Sequence, residues 1–162
     1  MTNRDLCVSV IIPCYNEEKN LQRGVLDQVH QYLQRQSYSW EVIIADDGST
    51  DQSAEWVSRI IAGKEGFSLA RLPHGGKPAA IWGGLQQAAC ESVLLTDMDQ
   101  STPIGELDKL LPWYQQGYDV VIGSRGTSRE GFSLLRQVGS FVFRAMRSMF
   151  LLREIRDTQC GF

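Results

Sequence analysis

The sequence predicts the α/β class, with a mostly parallel sheet flanked by helices. Two observations carry this. Short apolar, β-branched runs alternate with longer segments of helical periodicity, the pattern of parallel strands joined by crossover helices. Each apolar run also ends in polar or acidic residues, and in open α/β sheets ligands sit beyond the carboxyl ends of the strands. Together they describe a Rossmann-like sheet with its polar features gathered along one edge.

The elements follow in order. Val8-Ser9-Val10-Ile11-Ile12 is β-branched and predicts a first strand that Pro13 ends. Cys14-Tyr15-Asn16-Glu17-Glu18 then turns into a helix, with Asn16 placed as its cap and two glutamates suited to its first turn. Leu21, Val25, Val29 and Tyr32 or Leu33 continue the helical spacing through Gln34. Trp40 to Ala45 is a second strand ending in Asp46-Asp47-Gly48-Ser49-Thr50-Asp51, and a helix follows to about Ala62. Phe67 to Leu72 is a third strand, and Pro73-His74-Gly75-Gly76 is a turn cluster. Lys77 to Ala89 reads as a helix that tolerates Pro78 in its first turn. Ser92 to Thr96 is a fourth strand leading into Asp97-Met98-Asp99. Ile104 to Gln116 is helical with Pro112 as a kink or early stop, Asp119 to Ile122 is a fifth strand ending at Gly123-Ser124-Arg125, and Ser133 to Leu152 is a long helix.

Length and composition set the bounds. At 162 residues, with 43% hydrophobic and 22% charged residues, the chain is expected to form one domain over 1–162 around one core. It ends at Cys160-Gly161-Phe162 with no closing element, so a C-terminal part is expected to be missing. No run of about 18 apolar residues predicts a transmembrane helix. Cys7, Cys14, Cys90 and Cys160 show no Cys-x-x-Cys spacing and read as reduced cysteines of an intracellular protein. From Arg125 onward seven arginines face Glu130, Glu154 and Asp157, a net +4 that leaves −7 on the first 124 residues. The basic C-terminal third is thereby suited to an anionic partner, although an Arg-rich soluble helix would look the same. No nucleic-acid partner is expected.

Four constellations bear on the chemistry. Asp97 and Asp99 lie one residue apart at a strand end, where extended backbone sends i and i+2 the same way. Two such carboxylates repel unless a hard divalent cation joins them, and Mg²⁺ or Mn²⁺ with a diphosphate substrate would do so. The competing reading is a turn residue and a cap. Asp47 can accept a hydrogen bond from a base N–H or a ribose hydroxyl, while Ser49 or Thr50 caps the helix. Gly75-Gly76-Lys77 fails the Walker pattern, since position 78 is Pro, but a glycine-lysine at a helix start still aims Lys77 at an anion. No Gly-x-Gly-x-x-Gly follows the first strand, which counts against a dinucleotide oxidoreductase. In the last helix Arg136, Ser140, Arg144 and Arg147 share one stripe among bulky apolar residues, which fits either a core helix or one lying on a membrane surface. His30, within a helix, and His74, in a turn, read as structural.

Taken in order, Val10-Ile11-Ile12-Pro13-Cys14-Tyr15-Asn16-Glu17-Glu18, Asp46-Asp47-Gly48-Ser49-Thr50-Asp51, Gly76-Lys77, Asp97-Met98-Asp99 and Gly123-Ser124-Arg125 resemble family 2 glycosyltransferases of the GT-A, nucleotide-diphospho-sugar transferase fold. The ending Arg156-Asp157-Thr158-Gln159-Cys160-Gly161-Phe162 is similar to that of the polyprenyl-phosphate sugar transferases, dolichyl-phosphate glucosyltransferases among them. The resemblance implies a membrane-associated enzyme, cytoplasmic and peripheral at the cytoplasmic face. It would transfer a hexose, with glucose favoured, from a nucleoside-diphosphate sugar such as UDP-glucose to polyprenyl phosphate, with inversion. It implies a nucleotide pocket of Pro13, Tyr15, Glu17 and Asp47, with Lys77 beside the donor. Asp97 and Asp99 would hold Mg²⁺ or Mn²⁺ and the diphosphate. Arg125, Arg136 and Ser140 would bind the acceptor phosphate, and Asp99, Arg125 and Arg136 are the expected catalytic set. One departure is visible: the mannosyl-phosphate synthases have a metal-assisting glutamine two residues after the second Asp, where this chain has Ser101, with Gln100 one place earlier. Two alternatives stand beside this reading. One is a glycosyltransferase with a sugar-hydroxyl acceptor and Asp157 as base; the other is a nucleotide-binding module without turnover.

Overall fold

In a computed structural model, which describes residues 6–124, four parallel strands form one sheet in the order β3-β2-β1-β4. The strands are β1 (Cys7–Cys14), β2 (Ser39–Asp46), β3 (Phe67–Arg71) and β4 (Ser92–Leu95). The helices are α1 (Glu18–Gln22), α2 (Val25–Leu33), α3 (Ser53–Ile61), α4 (Lys77–Leu85) and α5 (Leu107–Gln115), the last preceded by a 3₁₀ turn at Ile104–Glu106. β1 and β2 pair over their whole length, from Cys7 opposite Ser39 to Cys14 opposite Asp46. Strand order reverses beside β1: the chain winds outward through β2 and β3, then returns to β4 on the other side. That reversal opens a crevice at the carboxyl end of the sheet.

The strands are apolar because both faces are covered. Val8, Val10 and Ile12 of β1, with Val42 and Ile44 of β2, share a buried cluster with Leu21, Val25, Leu26, Val29, Leu33 and Val57 of α1, α2 and α3. The opposite face, carrying Ile11 and Ala45, meets α4, which lies unusually close. A Cβ added at Gly84 would stand 2.6 Å from Ile11, and one at Gly83 would stand 2.4 Å from Leu72. Alanine at either position forces a neighbour to move.

Four expectations are corrected. Pro13 does not end β1, which runs on to Cys14. The β4 ladder stops at Ile11, so the missing N–H of Pro13 removes no rung on that side, while the Asp47 N–H still donates to the Cys14 carbonyl at 2.9 Å on the other. The first helix is two helices, because Gly24 takes a left-handed φ of 75°. Residues 119–122 form no strand: Val120 is 79% exposed, and the segment has no ladder partner among the described residues. Finally, Cys7 and Cys90 are joined in a disulfide rather than reduced. They sit at the starts of neighbouring strands with Cα atoms 5.2 Å apart, and their 83-residue separation hides the pairing from any reading of spacing. Cys14 is the free cysteine among the described residues.

Candidate functional site

The crevice holds a cavity of about 380 Å³ lined by Pro13, Tyr15, Glu17, Asp47, Lys77, Asp97 and Asp99, together with Cys14, His74, Gly76, Ala80 and Met98. Every described residue expected at the donor site is therefore at one place. Arg125, Arg136 and Ser140 lie outside the described residues.

The loops after β1 and β2 are tied to each other. Asn16, at a left-handed φ of 55°, accepts the Thr50 N–H at 2.9 Å and the Asp51 N–H at 3.3 Å through its side-chain oxygen. Its own N–H donates to Ser49 Oγ at 3.0 Å, and the Glu17 N–H donates to Ser53 Oγ at 2.7 Å. Asn16 is thus a strut between two loops and not the helix cap expected of it. Asp51 caps α3 locally by accepting the Ser53 N–H at 2.9 Å. Partial burial would raise the Asp51 pKa, but hydrogen bonds from Ser53 and from neighbouring backbone N–H groups together outweigh it and hold the carboxyl below its ordinary range.

Asp47 is 2% exposed, and a carboxylate so deep must be paired. Its Oδ1 accepts the Gly75 N–H at 2.8 Å, and its Oδ2 accepts the Gly76 N–H at 2.9 Å. The imidazole Nδ1 of His74 lies 2.9 Å from Oδ2 and 3.0 Å from the Asp47 carbonyl. Asp47 therefore fixes the turn that starts α4, and with it Lys77. The His74 ring also stacks on Tyr15, with centroids 4.5 Å apart and planes at 27°. His74 was expected to be structural and is instead part of the cavity. The signal for it was its place two residues before Gly76-Lys77 in the turn after β3. His30 does fit its structural reading, packing edge-on against Phe67 at 5.4 Å and Trp40 at 6.2 Å.

The side toward β4 is held differently. Lys77 Nζ meets Asp97 Oδ1 at 2.5 Å, and Asp99 Oδ1 accepts the Ser101 N–H at 2.8 Å in a tight turn. Gln100, at a positive φ of 49°, turns its amide inward: Nε2 donates to the Asp97 carbonyl at 2.9 Å and Oε1 accepts the Ile104 N–H at 3.1 Å. Gln100 is occupied in bracing the turn. Among the described residues no cluster of three or more His, Cys, Asp or Glu side chains is arranged to hold an ion. Asp97 and Asp99 nonetheless fit Mg²⁺ or Mn²⁺ of the kind shared with a substrate, since such ions take one or two carboxylates and complete their shell with phosphate oxygens and water. Four carboxylates line the cavity against Lys77, an excess of negative charge that favours a ligand arriving with a cation. Beneath them Cys14 is inert: burial first, then Asp46, Glu17 and Asp51, push its thiol up to about 12.

Comparison with known proteins identifies the family and the fold. The chain is 33% identical over 155 residues to undecaprenyl-phosphate 4-deoxy-4-formamido-L-arabinose transferase of Pectobacterium atrosepticum, covering 94% of this chain and 46% of that one. It is 31% identical over 175 residues to human dolichyl-phosphate beta-glucosyltransferase, covering 96% and 53%. The chain thus spans about half the length of these curated relatives. Among solved structures it is similar to a mannosyltransferase of Pyrobaculum calidifontis in complex with GDP-Man and Mn²⁺, with 30% identity, TM-score 0.51, and 61% and 29% of the two chains covered. Glucosyl-3-phosphoglycerate synthase of Mycobacterium tuberculosis, at 21% identity and TM-score 0.56, shares the GT-A fold over 89% of this chain and 50% of its own. The model of Glycosyl transferase family 2 matches residues 9–162, and the chain belongs to that family.

Proposed function

We propose that this chain carries the donor half of an inverting hexosyltransferase, moving a sugar from a nucleoside diphosphate to a polyprenyl phosphate. Glucose is the favoured sugar and UDP-glucose the favoured donor. The observation that carries this reading is the convergence of Pro13, Tyr15, Glu17, Asp47, Lys77, Asp97 and Asp99 on one cavity at the sheet's switch point. The acceptor class follows from the relatives, two of which are named for transfer to undecaprenyl or dolichyl phosphate. Among the described residues no helix is long and apolar enough to cross a membrane. The proposal takes the lipid acceptor to be met peripherally, at the cytoplasmic face, a reading supported by relatives named for polyprenyl-phosphate transfer.

In this reading Pro13, Tyr15, Glu17 and Asp47 hold the nucleoside. Asp97 and Asp99 hold Mg²⁺ or Mn²⁺, which when bound offsets the charge of the diphosphate. Lys77, freed from Asp97 when the donor enters, places an ammonium beside the leaving group. The acceptor phosphate is already anionic, so a phosphate oxygen attacks the anomeric carbon without a dedicated base. The bond to the nucleoside diphosphate breaks on the opposite face, and configuration inverts. Arg125, Arg136 and Ser140 are proposed to grip the acceptor phosphate, arginine's planar fork suiting its oxygens. The test is a panel of UDP- and GDP-sugars with a short polyprenyl phosphate and either Mg²⁺ or Mn²⁺, scored by mass spectrometry of the lipid product. Glucosyl-phosphoryl-polyprenol from UDP-glucose is the expected product. Transfer only to sugar hydroxyls, or nucleotide binding with no transfer, overturns the reading.

A further inference from the structure

The geometry points to His74 as a specificity-determining residue for the donor's base, one that leaves Asp47 able to accept a single hydrogen bond and so selects uridine over guanosine. The inference rests on the donor reading above and adds to it the basis of base choice.

An ionised carboxylate offers about four acceptor positions, two on each oxygen. On Asp47, Oδ1 receives the Gly75 N–H, and Oδ2 receives both the Gly76 N–H and His74 Nδ1. The atoms facing His74 Nδ1 are the Asp47 carbonyl and carboxylate, both of them acceptors, so Nδ1 carries the proton. Oδ2 is then full and Oδ1 keeps one position. Uracil presents one imide N–H on the edge it would turn toward a carboxylate, and one position satisfies it. Guanine presents N1–H and N2–H side by side and needs an acceptor on each oxygen. With Oδ2 taken by His74, one guanine donor is buried without a partner, which is the costly case. The Asp47 side chain is 3% exposed in the empty cavity, whereas the His74 side chain is 57% exposed, so substitution at His74 uncovers Asp47 Oδ2 without emptying the core.

The experiment measures UDP and GDP affinity by calorimetry, with Mn²⁺, on the full chain and two variants. The unmodified protein is expected to bind UDP at least about tenfold more tightly than GDP. His74→Ala empties one position on Oδ2 and should bring the two affinities within about threefold, chiefly by improving GDP relative to UDP. His74→Asn keeps a side-chain N–H at similar reach but removes the ring. It should restore the selectivity while losing the contact with Tyr15. If His74→Ala weakens both nucleotides equally and leaves their ratio unchanged, His74 is only part of the stacking surface and the inference fails. Preference for GDP in the unmodified protein also overturns it, while leaving the transferase reading standing. No binding of either nucleotide defeats that reading, and this inference with it.

Discussion

The two sides of the cavity are built by different means. On the β1–β2 side, residues more than 30 positions apart are joined by hydrogen bonds: Asn16 to Thr50 and Asp51, Ser49 to Asn16, Ser53 to Glu17. On the β4 side the bonds from Thr96 to Ile104 are local, and the ion pair of Lys77 with Asp97 links this side across the cavity. The first side is shaped before any ligand arrives. The second is balanced by a cation that the protein itself supplies, and it is ready to exchange that cation for another. Shape and charge are thus assigned to opposite walls.

The largest effect expected from this division is on the charged wall. Asp99→Asn should leave the fold intact while reducing Mn²⁺-dependent transfer by roughly 10²–10³-fold, the scale seen when one preorganised electrostatic partner is lost. Nucleotide affinity measured without metal should change little. A folded Asp99→Asn protein with full Mn²⁺-dependent activity would remove the metal assignment.

The braced wall predicts the reverse. Asn16→Ala removes an acceptor shared by two backbone N–H groups and should lower unfolding stability by about 1–2 kcal/mol, read from the urea midpoint at constant slope. Asn16→Gly removes the hydrogen bonds without the steric strain that alanine meets at a left-handed φ of 55°, although it adds freedom to the unfolded chain. If both variants are as stable as the parent, the braces do not stiffen the site. Neither should alter the metal dependence of donor binding.

A further effect, confined to alkaline pH, is expected from Cys14, beneath the braced wall. Its folded pKa, about 12, lies above the ordinary value of 9.0. The unfolded chain therefore loses the proton first, and stability should fall as pH rises from about 9 toward 12, by up to about 1.4 kcal/mol per pH unit. Below pH 9 this group should contribute no slope. Cys14→Ser should flatten that alkaline decline, and the native Cys14 thiol should resist iodoacetamide at pH 8. Prompt alkylation of Cys14 in the folded protein would show the wall to be open.

What was legible in the sequence divides along the same line. Strand ends and their acids could be read because Val93-Leu94-Leu95-Thr96-Asp97 is a local pattern, apolar run then carboxylate. The partners of Asn16 and Asp47 could not, since nothing local distinguishes a helix cap from a strut to residue 50, or a free carboxylate from one already holding Gly75 and Gly76. The disulfide escaped for the same reason, its two halves being 83 residues apart. Gly24 was visible as a glycine within a helical repeat, but the repeat alone does not show the left-handed φ of 75° that divides α1 from α2. The 119–122 segment has strand composition and no strand, because β-propensity describes a residue's fit to a sheet and cannot supply a neighbouring strand.

The glycines of α4 extend this to how the sequence can change over time. Gly83 lies against Leu72, and Gly84 against Ile11 with Ala45 beyond it. A lineage that acquires alanine at either position meets that neighbour at once and must trim it, or let α4 ride up from the sheet and carry Lys77 with it. Exchanges at 84 and 11, and at 83 and 72, are therefore expected to travel in pairs across divergent relatives, although none of these four residues borders the donor cavity. The sheet's far face then records, as correlated substitutions, where the ammonium of Lys77 has to stand.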